Sequence, residues 1–155
     1  MRRTLAAFLL LCPWAVAEAA GEVGFRETSD SLEITIGGKP FTTYRHGPGV
    51  SKPFFWPIAG PFGAAVTRAF PNVPDAPDET RDHVWHRGLS FTHGEVGVPG
   101  EHPVDFWREG AARQGRVVHR AFDPPPSVKD GVLTFGTKDD WVAPDGTTLL
   151  RDHVL

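Results

Sequence analysis

Beyond residue 21 the chain runs as short apolar stretches separated by glycine and proline breaks, and the apolar positions recur with a period of two. Leu32-Glu33-Ile34-Thr35-Ile36 alternates apolar and polar residues, the signature of a half-buried strand. Gly37-Gly38 follows as a hairpin turn, and Phe41 to Tyr44 returns. Further strands are expected at Phe54 to Ile58, Ala64 to Phe70, Leu89 to His93, Val104 to Trp107, Gly115 to Phe122, Val132 to Thr137 and Thr147 to Leu155. Asp130-Gly131 and Asp145-Gly146 mark tight turns. With 17 Gly and 15 Pro no long amphipathic helix survives, and Ala111-Ala112-Arg113 allows at most one helical turn. The pattern predicts an all-β fold, an antiparallel β-sandwich, with a mutarotase-like supersandwich among its possible forms. Residues 21–155 are expected to form one such domain.

The first 20 residues change the compartment. Arg2 and Arg3 precede an apolar run that includes Phe8-Leu9-Leu10-Leu11, and small residues follow at Ala15, Ala17, Ala19 and Ala20. That order is expected of a signal peptide, and it places the mature protein outside the cytoplasm, periplasmic or secreted. The run is shorter than the roughly 20 residues a spanning helix needs, so no membrane association is expected after cleavage. Cys12, the one cysteine, lies in this leader, and Leu11 before it is too large for a lipidation site. The mature chain therefore has no thiol, and any metal ligands must be His, Asp or Glu. The net charge is −3, and no cluster of Lys and Arg exists, which argues against a nucleic-acid partner.

Candidate chemistry concentrates in Asp82-His83-Val84-Trp85-His86-Arg87-Gly88-Leu89-Ser90-Phe91-Thr92-His93-Gly94. This stretch holds three of the seven histidines. Imidazole can bind a metal, move a proton near neutral pH or hydrogen-bond a polar ligand. In a strand at Leu89 to His93, the residues Leu89, Phe91 and His93 would share one face. His83 and His86 precede it, in a loop. His83, His86 and His93 are candidates for acid/base catalysis on a sugar hydroxyl or ring oxygen. They are also candidates for holding a divalent metal, the one cofactor considered, with Asp105 or Glu95. The i, i+3 spacing of His83 and His86 lacks the firm geometry of a helical i, i+4 pair, however. Arg87 can clamp an anionic ligand bidentately, or it can be structural, paired with Asp82 or Asp105. Gly88 is expected to allow a backbone conformation or a close approach that a Cβ would prevent. Trp85 and Trp107 flank the stretch and can stack on a sugar face or fill a core. Trp56 is expected in packing at a core or sheet edge. The long polar segment from Pro71 to Asp82 leads into the cluster, as functional loops often do. No phosphate-binding glycine loop, nucleophile elbow or dinucleotide fingerprint is present.

Four segments in register carry a resemblance. They are Lys52-Pro53-Phe54-Phe55-Trp56-Pro57-Ile58, then Val66-Thr67-Arg68 with Pro71, then Asp82 to Gly94, then Val104-Asp105-Phe106-Trp107. Together they resemble the bacterial PmoA-like family, labelled "methane oxygenase PmoA" and otherwise a domain of unknown function. The resemblance spans roughly residues 22 to 155. It implies an exported β-sandwich-like protein with a link to carbohydrate degradation. It does not imply methane oxidation, because the membrane subunit of similar name spans the bilayer many times. Family members are longer, and Thr147 to Leu155 stops inside an apolar strand, so the chain is expected to be a fragment lacking C-terminal residues.

Three functions stay open on these residues. One is a protein that acts on or binds a carbohydrate or other small polar ligand, with Arg87, Trp85, Asp105 and Trp107 as ligand contacts. The second is a non-catalytic structural or binding module. The third is a histidine-based metal site.

Overall fold

The computed structural model describes residues 21–97 and 100–155. The expected signal peptide lies outside the described residues. Four strands, β1 (Val23–Glu27), β2 (Ser31–Ile36), β3 (Lys39–Arg45) and β4 (Phe54–Ile58), form an antiparallel sheet in sequence order. The period-two pattern drives it: Leu32 and Ile34 are buried on β2, and Thr42 and Tyr44 on the facing β3. Gly37 and Gly38 turn between them with φ of +58° and +72°, the pair of positive values that a two-residue hairpin turn requires.

Two short strands follow, β5 (Glu95–Val96) and β6 (Val104–Asp105), paired with each other. A second antiparallel sheet is built from β7 (Arg116–Phe122), β10 (Thr137–Val142) and β11 (Thr148–Val154) in the order β11-β10-β7. Between β7 and β10 lies the hairpin of β8 (Ser127–Lys129) and β9 (Val132–Thr134), turning at Asp130-Gly131. The fold is all-β with sandwich-like antiparallel sheets, and no helix occurs among the described residues.

Aromatic side chains join the two larger sheets. Tyr44 of β3 lies 6.2 Å from Phe122 of β7 and 5.9 Å from Phe135, ring centroid to centroid. Leu32, Ile34 and Tyr44 are the buried centre of this cluster. A second cluster of Val104, Phe106, Val117, Trp141 and Ala143 sits beneath the β5–β6 pair and the β7–β10 edge. Each large apolar side chain so buried contributes about 1.5–3 kcal/mol.

Several expected strands change form. Ala64 to Phe70 is irregular: it makes one isolated bridge, Ala59 to Ala65, and meets β4 through Val66 N–H to the Ile58 carbonyl, while its Ala69 and Phe70 N–H groups go to the Glu79 carboxylate. Leu89 to His93 is extended but pairs only at Leu89, with Phe55. Its apolar row faces an open inter-sheet cleft, with Leu89 61% and Phe91 65% exposed. Val104 to Trp107 ends as a strand at Asp105, whose carboxylate takes the next two free backbone N–H groups. Val132 to Thr137 is two strands parted at Phe135-Gly136. Beyond Thr137, β10 lacks apolar alternation because Asp139 and Asp140 occupy it, each buried and paired: Asp139 with His119, Asp140 with Arg120 and Arg151.

Candidate functional site

The histidine stretch lies where the loop after β4 returns to the sheet edge. Backbone closure of a turn, His86 N–H to His83 carbonyl at 2.9 Å, gathers its first half. His83 occupies φ +48°, and its Nδ1 lies 2.7 Å from the Asp82 carboxylate. Hydrogen bonds from Thr80 and His83 hold the Asp82 carboxyl down to about 2. The imidazoles of His83 and His86 are 5.0 Å apart, and His86 meets the Trp107 ring edge-on at 5.2 Å. Burial, followed by the charges of His83, Arg68 and Lys52, lowers the His86 pKa below the ordinary imidazole value.

Gly88 then lets the chain dock. Its φ is +152°, and a Cβ there would collide with the Phe55 carbonyl, as expected of a close backbone approach. The loop ahead is pinned at several points. The Glu79 carboxylate accepts the N–H groups of Ala69 and Phe70, both at 2.7 Å, and the Asn72 amide donates to the Arg87 carbonyl at 2.6 Å. Arg68 donates to the Thr80 carbonyl and lies over the Phe70 ring at 5.3 Å.

Under the turn lies an ionic group that the sequence motifs do not announce. Arg87 Nε and Nη2 grip Glu109 bidentately at 2.7 to 2.9 Å. Glu109 also accepts from Ser51 Oγ at 2.9 Å and from Lys52 Nζ at 3.4 Å. Lys52 is only 3% exposed and gives a second hydrogen bond, at 2.9 Å, to the Trp107 carbonyl. Burial alone would raise the Glu109 pKa, but its three donors outweigh burial and hold it below the ordinary carboxylate range. Lys52 responds in the opposite sense: burial costs its ammonium more than Glu109 returns, and its pKa falls. Arg87 is thus ion-paired, and its partner is Glu109 rather than Asp82 or Asp105.

These parts enclose a cleft of about 250 Å³ lined by Lys52, Arg68, Trp85, His86, Ser90 and Trp107 among others. The Trp85 Nε1 donor is buried without a partner. His86, Trp85 and Trp107 are thus brought together. His83 stays beside them, its ring 5.0 Å from that of His86 and 5.5 Å from that of Trp85, while Asp105 and His93 are placed elsewhere. Asp105 is 6% exposed and spends its oxygens on the N–H groups of Trp107 and Arg108 and on the Arg108 guanidinium, so it positions Trp107 instead of contacting a ligand. His93 is exposed, and its carbonyl accepts from Phe106 N–H at 3.2 Å. Among the described residues no three His, Cys, Asp or Glu side chains converge to hold a metal, so His83, His86 and His93 do not form a three-ligand set. Trp56 sits at the sheet edge under Arg45 and donates Nε1 to the Arg68 carbonyl at 2.8 Å, as expected of edge packing. Trp141 is core, 3% exposed, with its Nε1 donated to Asp152 at 2.8 Å.

Lys52 was visible in the Lys52-Pro53-Phe54 motif, and its burial among apolar neighbours was the missed signal. Glu109 had none: it stands 22 residues from Arg87, and only the Asp105 turn delivers it. A second histidine pair, His46 and His119, also carried no motif.

Among curated proteins and among solved structures nothing matches the chain. One family model does, over residues 31–154, from β2 to the end of β11. That span takes in the whole ionic group and both tryptophan walls of the cleft, and it places the chain in the family of unknown function DUF6807.

Proposed function

We propose that the cleft at His86 binds a carbohydrate, with Trp107 and Trp85 as the stacking surfaces and His86 as the polar centre. The observation that carries this reading is the His86 imidazole held edge-on to Trp107, 5.2 Å between ring centroids, in a cleft that Lys52 and Trp85 also line. Sugars offer an apolar face for an aromatic and hydroxyls for such donors and acceptors. A neutral imidazole can also take a proton from a bound sugar, which would make epimerisation or elimination the reaction class if turnover occurs. The resemblance to the PmoA-like family and the signal-like leader support a periplasmic or secreted setting in which such ligands occur.

A binding role without catalysis has its own support. Arg87 spends its fork on Glu109, His93 stands apart, and His83 is paired with Asp82, so of the cluster only His86 and Trp85 line the cleft beside Trp107. Glycan-array binding and titration calorimetry with soluble oligosaccharides test the proposal. His86→Ala and Trp107→Ala are expected to weaken binding of any sugar hit tenfold or more, and wild-type affinity in both variants would overturn it. Product analysis of the same mixtures separates binding from turnover.

A further inference from the structure

The open inter-sheet cleft bordered by Leu89 and Phe91 has a volume of about 460 Å³ and combines aromatic walls with one ionised group. Tyr44, Phe55 and Phe135 form one wall. Their ring centroids lie 4.9 Å apart for Tyr44 and Phe55, 5.9 Å for Tyr44 and Phe135, and 6.3 Å for Phe55 and Phe135. Thr137, Asp139 and Trp141 are buried and share the inward face of β10. Asp139 thereby reaches the cleft, and among the described residues it is the only charged side chain in the lining. It is 5% exposed. Its Oδ1 lies 3.0 Å from Nδ1 of His119, whose ring packs on that of His46 at 4.4 Å, and its Oδ2 accepts from Thr137 Oγ1 at 2.9 Å. A carboxylate offers about four lone-pair sites, so both oxygens keep capacity. Asp152 of β11 is its cross-strand partner. Oδ2 of Asp152 takes the Trp141 indole N–H, and Oδ1 is buried with no partner. Among the described residues neither carboxylate has a Lys or Arg within ion-pair reach. Asp140, on the opposite face of the same strand, has two, Arg120 and Arg151.

The buried carboxylate decides the charge of what can fill the cleft. A neutral apolar molecule would strip the remaining water from Asp139 and put nothing in its place, which is costly for an ionised group. An anion would add repulsion. A cation supplies the missing ion pair, and aromatic ring faces attract it as well. The volume suits a small molecule, and apolar walls with few polar groups are the usual composition of such a site. We propose that this cleft binds an organic ammonium ion, an alkyl or aralkyl amine, with its charge at Asp139 and its apolar body along Phe55, Phe91 and Phe135. The site shares only Ser90 with the cleft at Trp107, so it stands or falls independently of the carbohydrate reading.

The test uses three probes with one body and different heads: phenylbutylamine, phenylbutanol and phenylbutanoate. Each is titrated into the folded protein at pH 7.5 and followed by ligand-observed NMR. The amine is protonated at that pH, as a lysine side chain is. It should bind at least tenfold more tightly than the alcohol, and the carboxylate should bind most weakly. Phe91→Ser should weaken amine binding severalfold, and because Phe91 is 65% exposed that variant retains the fold. Asp139→Asn should erase the difference between amine and alcohol. Should this buried substitution unfold the chain, the wild-type series and Phe91→Ser decide the matter without it. An amine that fails to bind or binds no better than the alcohol, amine binding unchanged in Phe91→Ser, or a folded Asp139→Asn that keeps the preference overturns the proposal.

Discussion

Glu109 governs more of the site than any histidine in it. It accepts from Arg87, Ser51 and Lys52, and among the described residues Lys52 has no other carboxylate within salt-bridge reach. Removing its charge leaves a nearly fully buried ammonium uncompensated, a cost of about 3 kcal/mol. By contrast, Asp140 pairs with Arg120 and Arg151, whose side chains are 53% and 76% exposed, and screening reduces each of those pairs to about 1 kcal/mol or less. Glu109→Gln should therefore lower the urea midpoint far more than Asp140→Asn. The pH dependence has a definite sign. The folded Glu109 carboxyl titrates below its ordinary 4.5, so its contribution is present above 4.5 and is lost as pH falls through the folded value. In Glu109→Gln that part of the acid-side decline should vanish. Urea midpoints measured across a pH series check it, and a decline as steep as the wild type's would refute the assignment.

At the scale of elements, the turn at Gly88 decides whether the histidine segment reaches the sheet. Its positive φ and the Phe55 carbonyl beneath it leave no room for a side chain. Gly88→Ala should cost about 1–3 kcal/mol of stability and should loosen the His83 to His86 turn, detected as faster amide exchange at Leu89. A variant as stable as the wild type, with Leu89 still protected, would contradict this account. Gly88 is also an example of what the sequence made legible. Strict alternation predicted β2, the Gly37-Gly38 turn predicted its return as β3, and a lone glycine beside the histidines was read as allowing a backbone conformation or close approach that a Cβ would prevent. What the sequence hid was non-local. The strand β10 reads as Thr137-Lys138-Asp139-Asp140-Trp141-Val142, and its inward acids look like a turn until His119, Arg120 and Arg151 are placed opposite them. Leu89 to His93 has strand composition, but only Leu89 finds a partner edge. In the site, the proximity of His83, Trp85 and His86 was legible because neighbours in sequence stay neighbours. Glu109, Lys52 and the His46–His119 pair were not, because nothing local in the chain encodes a meeting across 55 or more residues, or even across 22.

Across the whole molecule, the two sheets meet on one side and part on the other. Between them lies an apolar cleft of about 460 Å³ lined by Phe55, Leu89, Phe91, Val117, Leu133 and Phe135 among others. Contiguous exposed apolar surface of this kind binds hydrophobic probes or partners. The native chain should therefore enhance the fluorescence of an anilinonaphthalene dye without unfolding, and Phe91→Ser should reduce the enhancement at least twofold. A native chain that leaves the dye dark would mean that the cleft is closed in solution.

Trp107 contributes to the cleft in two separable ways. Its ring is the wall beside His86, whereas its backbone carbonyl, held by the Asp105 turn, anchors the buried Lys52 ammonium. The anchor belongs to the main chain and is indifferent to which side chain the residue carries. The side chain at this position can therefore drift, or be engineered, one aromatic or aliphatic group at a time, while the charged centre beneath it stays in register.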